Sequence, residues 1–162
     1  MDSETRSGVI GVTTRIMRSG HLCIKPLVMA YYVSTILHQS FPEAVEATIG
    51  ALKEKGFGII TRIDLQETFH QKIGKDIRPY LILGACNPNY AYEALQKENK
   101  VGTMLPCNVI VQELADGSVE VAAIDPVASM AAIDNPELLE LAGQVAEQLV
   151  STIAGLGSDQ AP

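Results

Sequence analysis

Residues 103–124 read Thr-Met-Leu-Pro-Cys-Asn-Val-Ile-Val-Gln-Glu-Leu-Ala-Asp-Gly-Ser-Val-Glu-Val-Ala-Ala-Ile. Two runs rich in β-branched residues flank Ala115-Asp116-Gly117-Ser118, and Asp-Gly is the signal of a tight hairpin because glycine takes a positive φ without penalty. The stretch predicts a long strand over residues 103–114 and a second over Val119–Ile124. Strands joined by so short a turn run antiparallel, which weighs against a doubly wound parallel sheet.

Upstream, Tyr80-Leu81-Ile82-Leu83-Gly84-Ala85-Cys86 has no polar alternation and predicts a strand buried on both faces. Asn87 and Pro88 then read as the cap and first turn of a helix to about Glu98, with Tyr92 and Leu95 toward the core. Before it, Ser40-Phe41-Pro42-Glu43 opens a helix carried by Phe41, Val45, Thr48, Ile49 and Leu52 and stopped by Gly56. Gly58–Ile63 has the β-branched density of a strand, and Asp64 with Glu67 marks a short helix ending near Gly74, with Leu65 and Phe69 inward. A loop at 75–79 follows. Downstream, Asn135-Pro136-Glu137 opens a long helix in which Leu138, Leu141, Ala142, Val145, Leu149 and Ile153 recur at three and four. Hairpin and helix-linked connections together predict an α+β two-layer domain: a mixed sheet of about five strands covered on one face by helices, with a long C-terminal helix.

The N-terminal stretch differs from the rest. Residues 1–28 hold four basic residues (Arg6, Arg15, Arg18, Lys25) against Asp2 and Glu4, net +2, leaving 8 basic against 17 acidic and net −9 in residues 29–162. The mostly apolar run from Pro26 to Leu37 is too short for a bilayer span, which takes about 20 residues. No small-x-small cleavage site follows it, so a signal peptide is not expected. Met29-Ala30-Tyr31-Tyr32-Val33 predicts the first strand. The organisation expected is a weakly ordered extension at 1–28 with Met29 as the true start, one domain over 29–154, and a frayed tail at 155–162.

With 162 residues, 47% of them hydrophobic and 19% charged, the chain can bury one core without disulfide or metal staples. A net charge of −7 argues against nucleic acid and against anionic membrane surfaces as partners. Three cysteines without regular spacing make no disulfide framework and fit a reducing compartment, so a cytoplasmic location is expected.

Familiar catalytic motifs, including G-x-S-x-G, H-E-x-x-H, phosphate-binding glycine loops and paired C-x-x-C, do not occur in the sequence. His21, His38 and His70 lack ligand-like spacing, and His70 flanks an apolar helical stripe as a boundary side chain. The candidate site instead rests on two Cys-Asn pairs, Cys86-Asn87 and Cys107-Asn108, each at a strand end. Cys86 precedes a helix cap, where the positive end of the helix dipole favours a thiolate. Cys107 shares its strand face with Leu105, Val109 and Val111, which reads as a buried small hydrophobe. Lys72, Lys75 and Arg78 could hold an anion near Cys86 if their loop folds back, and otherwise are a solvated loop. Asp125 is either an acid–base group or, more simply, the cap of the turn that follows. A metal site would need two further ligands, for which only Asp125, His70 or backbone offer themselves, so no metal is expected.

The runs Lys55-Gly56-Phe57-Gly58, Arg78-Pro79-Tyr80-Leu81-Ile82-Leu83-Gly84-Ala85-Cys86-Asn87-Pro88, Leu105-Pro106-Cys107-Asn108-Val109 and Ala123-Ile124-Asp125-Pro126 resemble the domain-of-unknown-function family numbered 302, from about Met29 to Leu149. The resemblance implies a small α+β domain that assembles as a homodimer, with no agreed catalytic set or cofactor. It also implies a start close to Met29, and its matching positions add Tyr80 to the candidate binding residues.

Two functions are therefore open. In the first, favoured slightly on sequence alone, Cys86 is a redox or sulfur-carrying nucleophile, Cys107 its partner, and Asn87 and Asn108 orient the loop. Tyr80, Asp125, Lys72 and Arg78 then bind a small-molecule or sulfur ligand. In the second, the protein is a non-catalytic homodimeric module that binds a small molecule or partner, and both cysteines are structural.

Overall fold

The computed structural model describes residues 31–158 and the backbone of Leu27–Val28. The remainder of the expected N-terminal extension, Met29 and Ala30 of the expected first strand, and residues 159–162 lie outside the described residues. In chain order the elements are β1 (Leu27–Val28), β2 (Tyr32–Leu37), α1 (Phe41–Glu54), β3 (Gly58–Asp64), α2 (Leu65–Ile73), β4 (Tyr80–Cys86), α3 (Pro88–Lys97), β5 (Cys107–Glu113), β6 (Val119–Ile124), α4 (Pro126–Met130) and α5 (Pro136–Ser158). A turn of 3-10 helix, Val101–Met104, precedes β5.

The hairpin organises the sheet. Leu114 N–H donates to Ser118 O at 2.8 Å, Gly117 turns the chain at φ 83°, and Asp116 Oδ1 accepts from Ser118 N–H at 3.0 Å. From it the sheet grows to the order β1-β2-β6-β5-β4-β3. Every pairing among the described residues is antiparallel, which corrects the expected mixed sheet. A helix-linked connection need not make its strands parallel. The chain leaves β3 through α2 at one end of the sheet and re-enters there as β4, so the two pair antiparallel, Asp64 opposite Leu81.

Strand alternation divides the sheet into two unlike faces. Val33, Leu37, Leu83, Val109, Val111 and Val121 point to one side and are buried under α1 and α5. Among the described residues, the other side carries no helix layer. Tyr80 and Ile82 are therefore only half-buried there, which corrects the two-faced burial expected of β4. Its apolar composition reflects an uncovered apolar face.

The local signals act as their chemistry dictates. Glu43 Oε2 accepts from Ser40 N–H at 3.0 Å and from Ser40 Oγ at 2.6 Å at the start of α1. Asp64 Oδ1 accepts from Glu67 N–H at 3.0 Å, and Gly74 closes α2 in the left-handed region at φ 62°. Asn135 Oδ1 accepts from Leu138 N–H at 3.1 Å, while its amide donates to Lys97 O at 3.1 Å and so ties the start of α5 to the end of α3.

Several boundaries differ from expectation. β2 runs Tyr32–Leu37, beyond the first strand expected over Met29–Val33, and Leu27–Val28 of the expected extension joins the sheet beside it as β1. β5 begins only at Cys107, because Pro106 has no N–H to give to a ladder. On α3, Tyr92 and Leu95 are 69% and 44% exposed; the small Ala94 is buried instead, letting the helix approach α5 closely. The C-terminal helix continues to Ser158 with Leu156 in the core, past the tail expected from residue 155. Gly157 helps it do so, since a Cβ there would meet Thr35 Oγ1 of β2 at 2.5 Å.

Gly84 is the tightest point of the sheet. A Cβ on it would collide with Thr61 Oγ1 and come within 2.6 Å of Pro106 Cγ. Gly84→Ala is expected to cost about 1–3 kcal/mol through overpacking. Gly102→Ala, at a glycine with nothing within 4 Å, is expected to stay within about 0.5 kcal/mol. Urea unfolding of the two variants checks the contrast.

Candidate functional site

Two concavities stand out among the described residues, one on each side of the sheet. The first is a small cavity of about 30 Å³ between the ends of β4 and β5 and helices α3, α4 and α5. That is room for about one water. Cys86 and Cys107 both line it, together with Phe57, Leu105, Met130 and Leu141. Ala85 stands opposite Cys107 in the β4–β5 ladder, so Cys86 lies one residue past that pairing. Both cysteines are free thiols.

The wall of this cavity contains no Lys, Arg, His, Asp or Glu. Burial consequently governs both thiols. Cys107, 7% exposed, is pushed up from 9.0 to about 11 by desolvation, with the nearby Cys86 charge adding to the effect. Burial also raises Cys86, the reverse of the direction expected from its place before α3. The physical reason is one of magnitude. A helix terminus contributes about 0.3–1 kcal/mol, whereas desolvation of a thiolate can move its pKa by several units.

Each remaining candidate residue has a definite place. Asn87 lines the thiol cavity, but its Oδ1 caps α3, accepting from Asn89 N–H at 3.1 Å. Asp125 caps α4, its Oδ1 accepting from Val127 N–H at 2.9 Å, while its neighbour Pro126 reaches the cavity wall. Lys72 and Arg78 lie on α2 and the loop before β4, at the opposite end of β4 from Cys86. The strand's rise separates them from the thiol by about 20 Å, so the loop does not fold back as an anion holder for it. His70, exposed on the last turn of α2, sits 2.7 Å from Asp76 and likewise belongs to that far end.

Asn108 does not accompany Cys107. Adjacent strand residues point to opposite faces, and Asn108 emerges on the uncovered side of the sheet. There it joins Tyr80 in the second concavity, an open hollow of about 370 Å³. Ile110, Ala122 and Ile124 form its floor, Tyr31 and Tyr32 one end, and Gln112 and Glu120 the other. Gln112 Nε2 donates to Glu120 Oε2 at 2.7 Å. The Tyr31 and Tyr32 rings meet edge to face at 4.8 Å. The Tyr80 hydroxyl is raised by burial first, and then by the charges of Glu120 and Tyr31. Sequence reading found Tyr80 and Asn108 but missed Glu120, Gln112 and the tyrosine pair. The available signal was the alternation Asn108-Ile110-Gln112 and Glu120-Ala122-Ile124, which marks one face of two paired strands.

Among the described residues, no three His, Cys, Asp or Glu side chains converge as a metal site, and no helix is long and apolar enough to cross a membrane.

The buried thiol should register in the pH dependence of stability. A thiol whose folded pKa lies above its unfolded value stabilises the fold below about 9 and loses that contribution as pH rises toward about 11. Denaturant unfolding is expected to show a decline of about 2 kcal/mol over that window that is absent in Cys107→Ala.

Comparison with known proteins agrees with this architecture. The crystal structure of an uncharacterized conserved DUF302 protein from Bacillus stearothermophilus is similar with a TM-score of 0.71 and 26% sequence identity, over 75% of this chain and 94% of that one. No curated protein matches the chain. The model of the domain of unknown function DUF302 matches residues 33–156, spanning β2 through the body of α5. The chain belongs to the DUF302 family.

Proposed function

We propose that the protein is a non-catalytic, homodimeric small-molecule-binding module in which Cys86 and Cys107 are structural. One observation carries the reading: both thiols are raised by burial in an apolar cavity whose wall offers neither a base to take their protons nor a cation to hold a thiolate. The hollow on the uncovered sheet face has the opposite character. Its volume is within the range of ligand pockets, and it combines an apolar floor with a few polar groups at its rim. Free thiols in the core fit a reducing, cytoplasmic setting.

The homodimer draws support from β3 and α2. The nine residues of α2 include no buried side chain, yet a helix so short is marginal without tertiary packing. Ile60 and Ile63 of the edge strand β3 and Ile73 of α2 are exposed. Arg62 and Asp64 lie two positions apart on the edge strand, offering a two-fold-related copy both signs of charge.

Alkylation of each cysteine as a function of pH tests the thiol assignment. Slow modification of both in the native state, with full reaction on unfolding, is the expected result. A Cys86 that reacts with an apparent pKa well below about 8.5 would instead establish the redox or sulfur-handling reading. Sedimentation equilibrium tests the assembly: a dimer is expected for the native chain and a shift toward monomer for Ile63→Lys, with a monomeric native chain removing the dimer from the proposal.

A further inference from the structure

The hollow on the uncovered sheet face has a chemical polarity that specifies its ligand. Among the described residues, Glu120 is the one charged side chain lining it, and no Lys, Arg or His of that set stands there to neutralise it. Gln112 engages Oε2 of that carboxylate, fixing its position and leaving Oε1 for another donor. Three tyrosines share the hollow, and tyrosine faces attract cations through their quadrupole. From Glu120 to Ile124 the floor runs along β6 for about 13 Å and passes over Ala122, whose small side chain leaves the depression.

We infer that this hollow binds an organic cation with an apolar body: an ammonium or guanidinium head on Glu120 beside Tyr80, and its hydrocarbon portion over Ala122 and Ile124 toward Tyr31 and Tyr32. The inference rests on the binding-module reading above and adds the ligand class to it. The charge arrangement selects against anions, which would meet Glu120 with no compensating group. It also selects against wholly apolar ligands, which would cover an ionised carboxylate without a partner for its free oxygen. The floor, by contrast, gives a bare inorganic cation nothing that oxygen-rich sites provide.

A matched series with one tail and different heads tests this: hexylammonium, hexylguanidinium, hexanol and hexanoate, titrated into the intact protein and followed by amide chemical shifts at Ala122, Ile124 and Tyr80. The two cations are expected to bind about 3–10-fold more tightly than hexanol, with hexanoate weaker still. In Glu120→Gln, which keeps the side chain's length and an acceptor for Gln112, the advantage of the cations over hexanol is expected to vanish while hexanol affinity holds. Thermal melting of that variant establishes that it is folded. Equal binding of all four probes would overturn the cation assignment and leave the binding module standing. No perturbation of the sheet face by any probe would remove both.

Discussion

A sheet that the described helices cover on one side only is the constraint on which the rest of the described structure depends. The buried valines of β5 and β6, with Leu83 of β4, give α1 and α5 an apolar platform. α5 spans it with Leu149, Ile153 and Leu156 and closes on β2, where Gly157 lets the helix meet Thr35. At about 25 cal/mol per Å² of apolar surface removed from water, this layer is the dominant stabilising contribution, and the caps merely set where each element begins. Because α1 and α5 occupy one face, α3 and α4 have no room on the platform. They pack instead at the end of the sheet on the first half of α5, around Leu138, Leu141 and Ala142. The thiol cavity is the joint between these two clusters.

The same constraint creates the hollow. A second helix layer would have filled the far face; among the described residues none does, and Tyr80, Ile110 and Ile124 are only half-buried there. An exposed apolar sheet face invites non-specific association. Glu120, Gln112 and Asn108 interrupt it with polar groups, which limits the contiguous apolar area. The packed core and the hollow thus lie on opposite sides of the same strands, so that Val121 and Ala122, neighbours in sequence, face different surroundings.

Features governed by local physics were legible in the sequence. The Asp116-Gly117 hairpin, the caps at Ser40, Asp64, Asn87 and Asn135, and the apolar repeat of α5 each depend on residues within a few positions of one another. What escaped the sequence was decided by distant partners. Whether the apolar stretch of β4 is covered once or twice depends on helices elsewhere in the chain, and the antiparallel pairing of β3 with β4 depends on α2 turning at the sheet's end. On α3, the reading favoured the large Tyr92 and Leu95, whereas close approach to α5 requires the small Ala94 inside. Size complementarity of this kind is a property of the pair of helices, invisible in either one alone.

The candidate site illustrates the limit most sharply. Two Cys-Asn pairs, 21 residues apart, look like one repeated chemical unit. In the fold they cannot act as one. Cys107 points under the helices while Asn108 points out of the sheet; Asn87 is committed to the α3 cap. A catalytic thiol needs a proton acceptor, a way to stabilise the thiolate, and access, and an apolar wall supplies neither of the first two. The helix start does offer a favourable dipole, yet a short helix's terminal field is small beside the desolvation that raises both thiols. Sequence proximity therefore groups side chains that the fold separates, for a definite reason: in a β-strand, consecutive residues point to opposite faces. Groups that share a face are those two apart in sequence or across the ladder, as Glu120 is from Gln112.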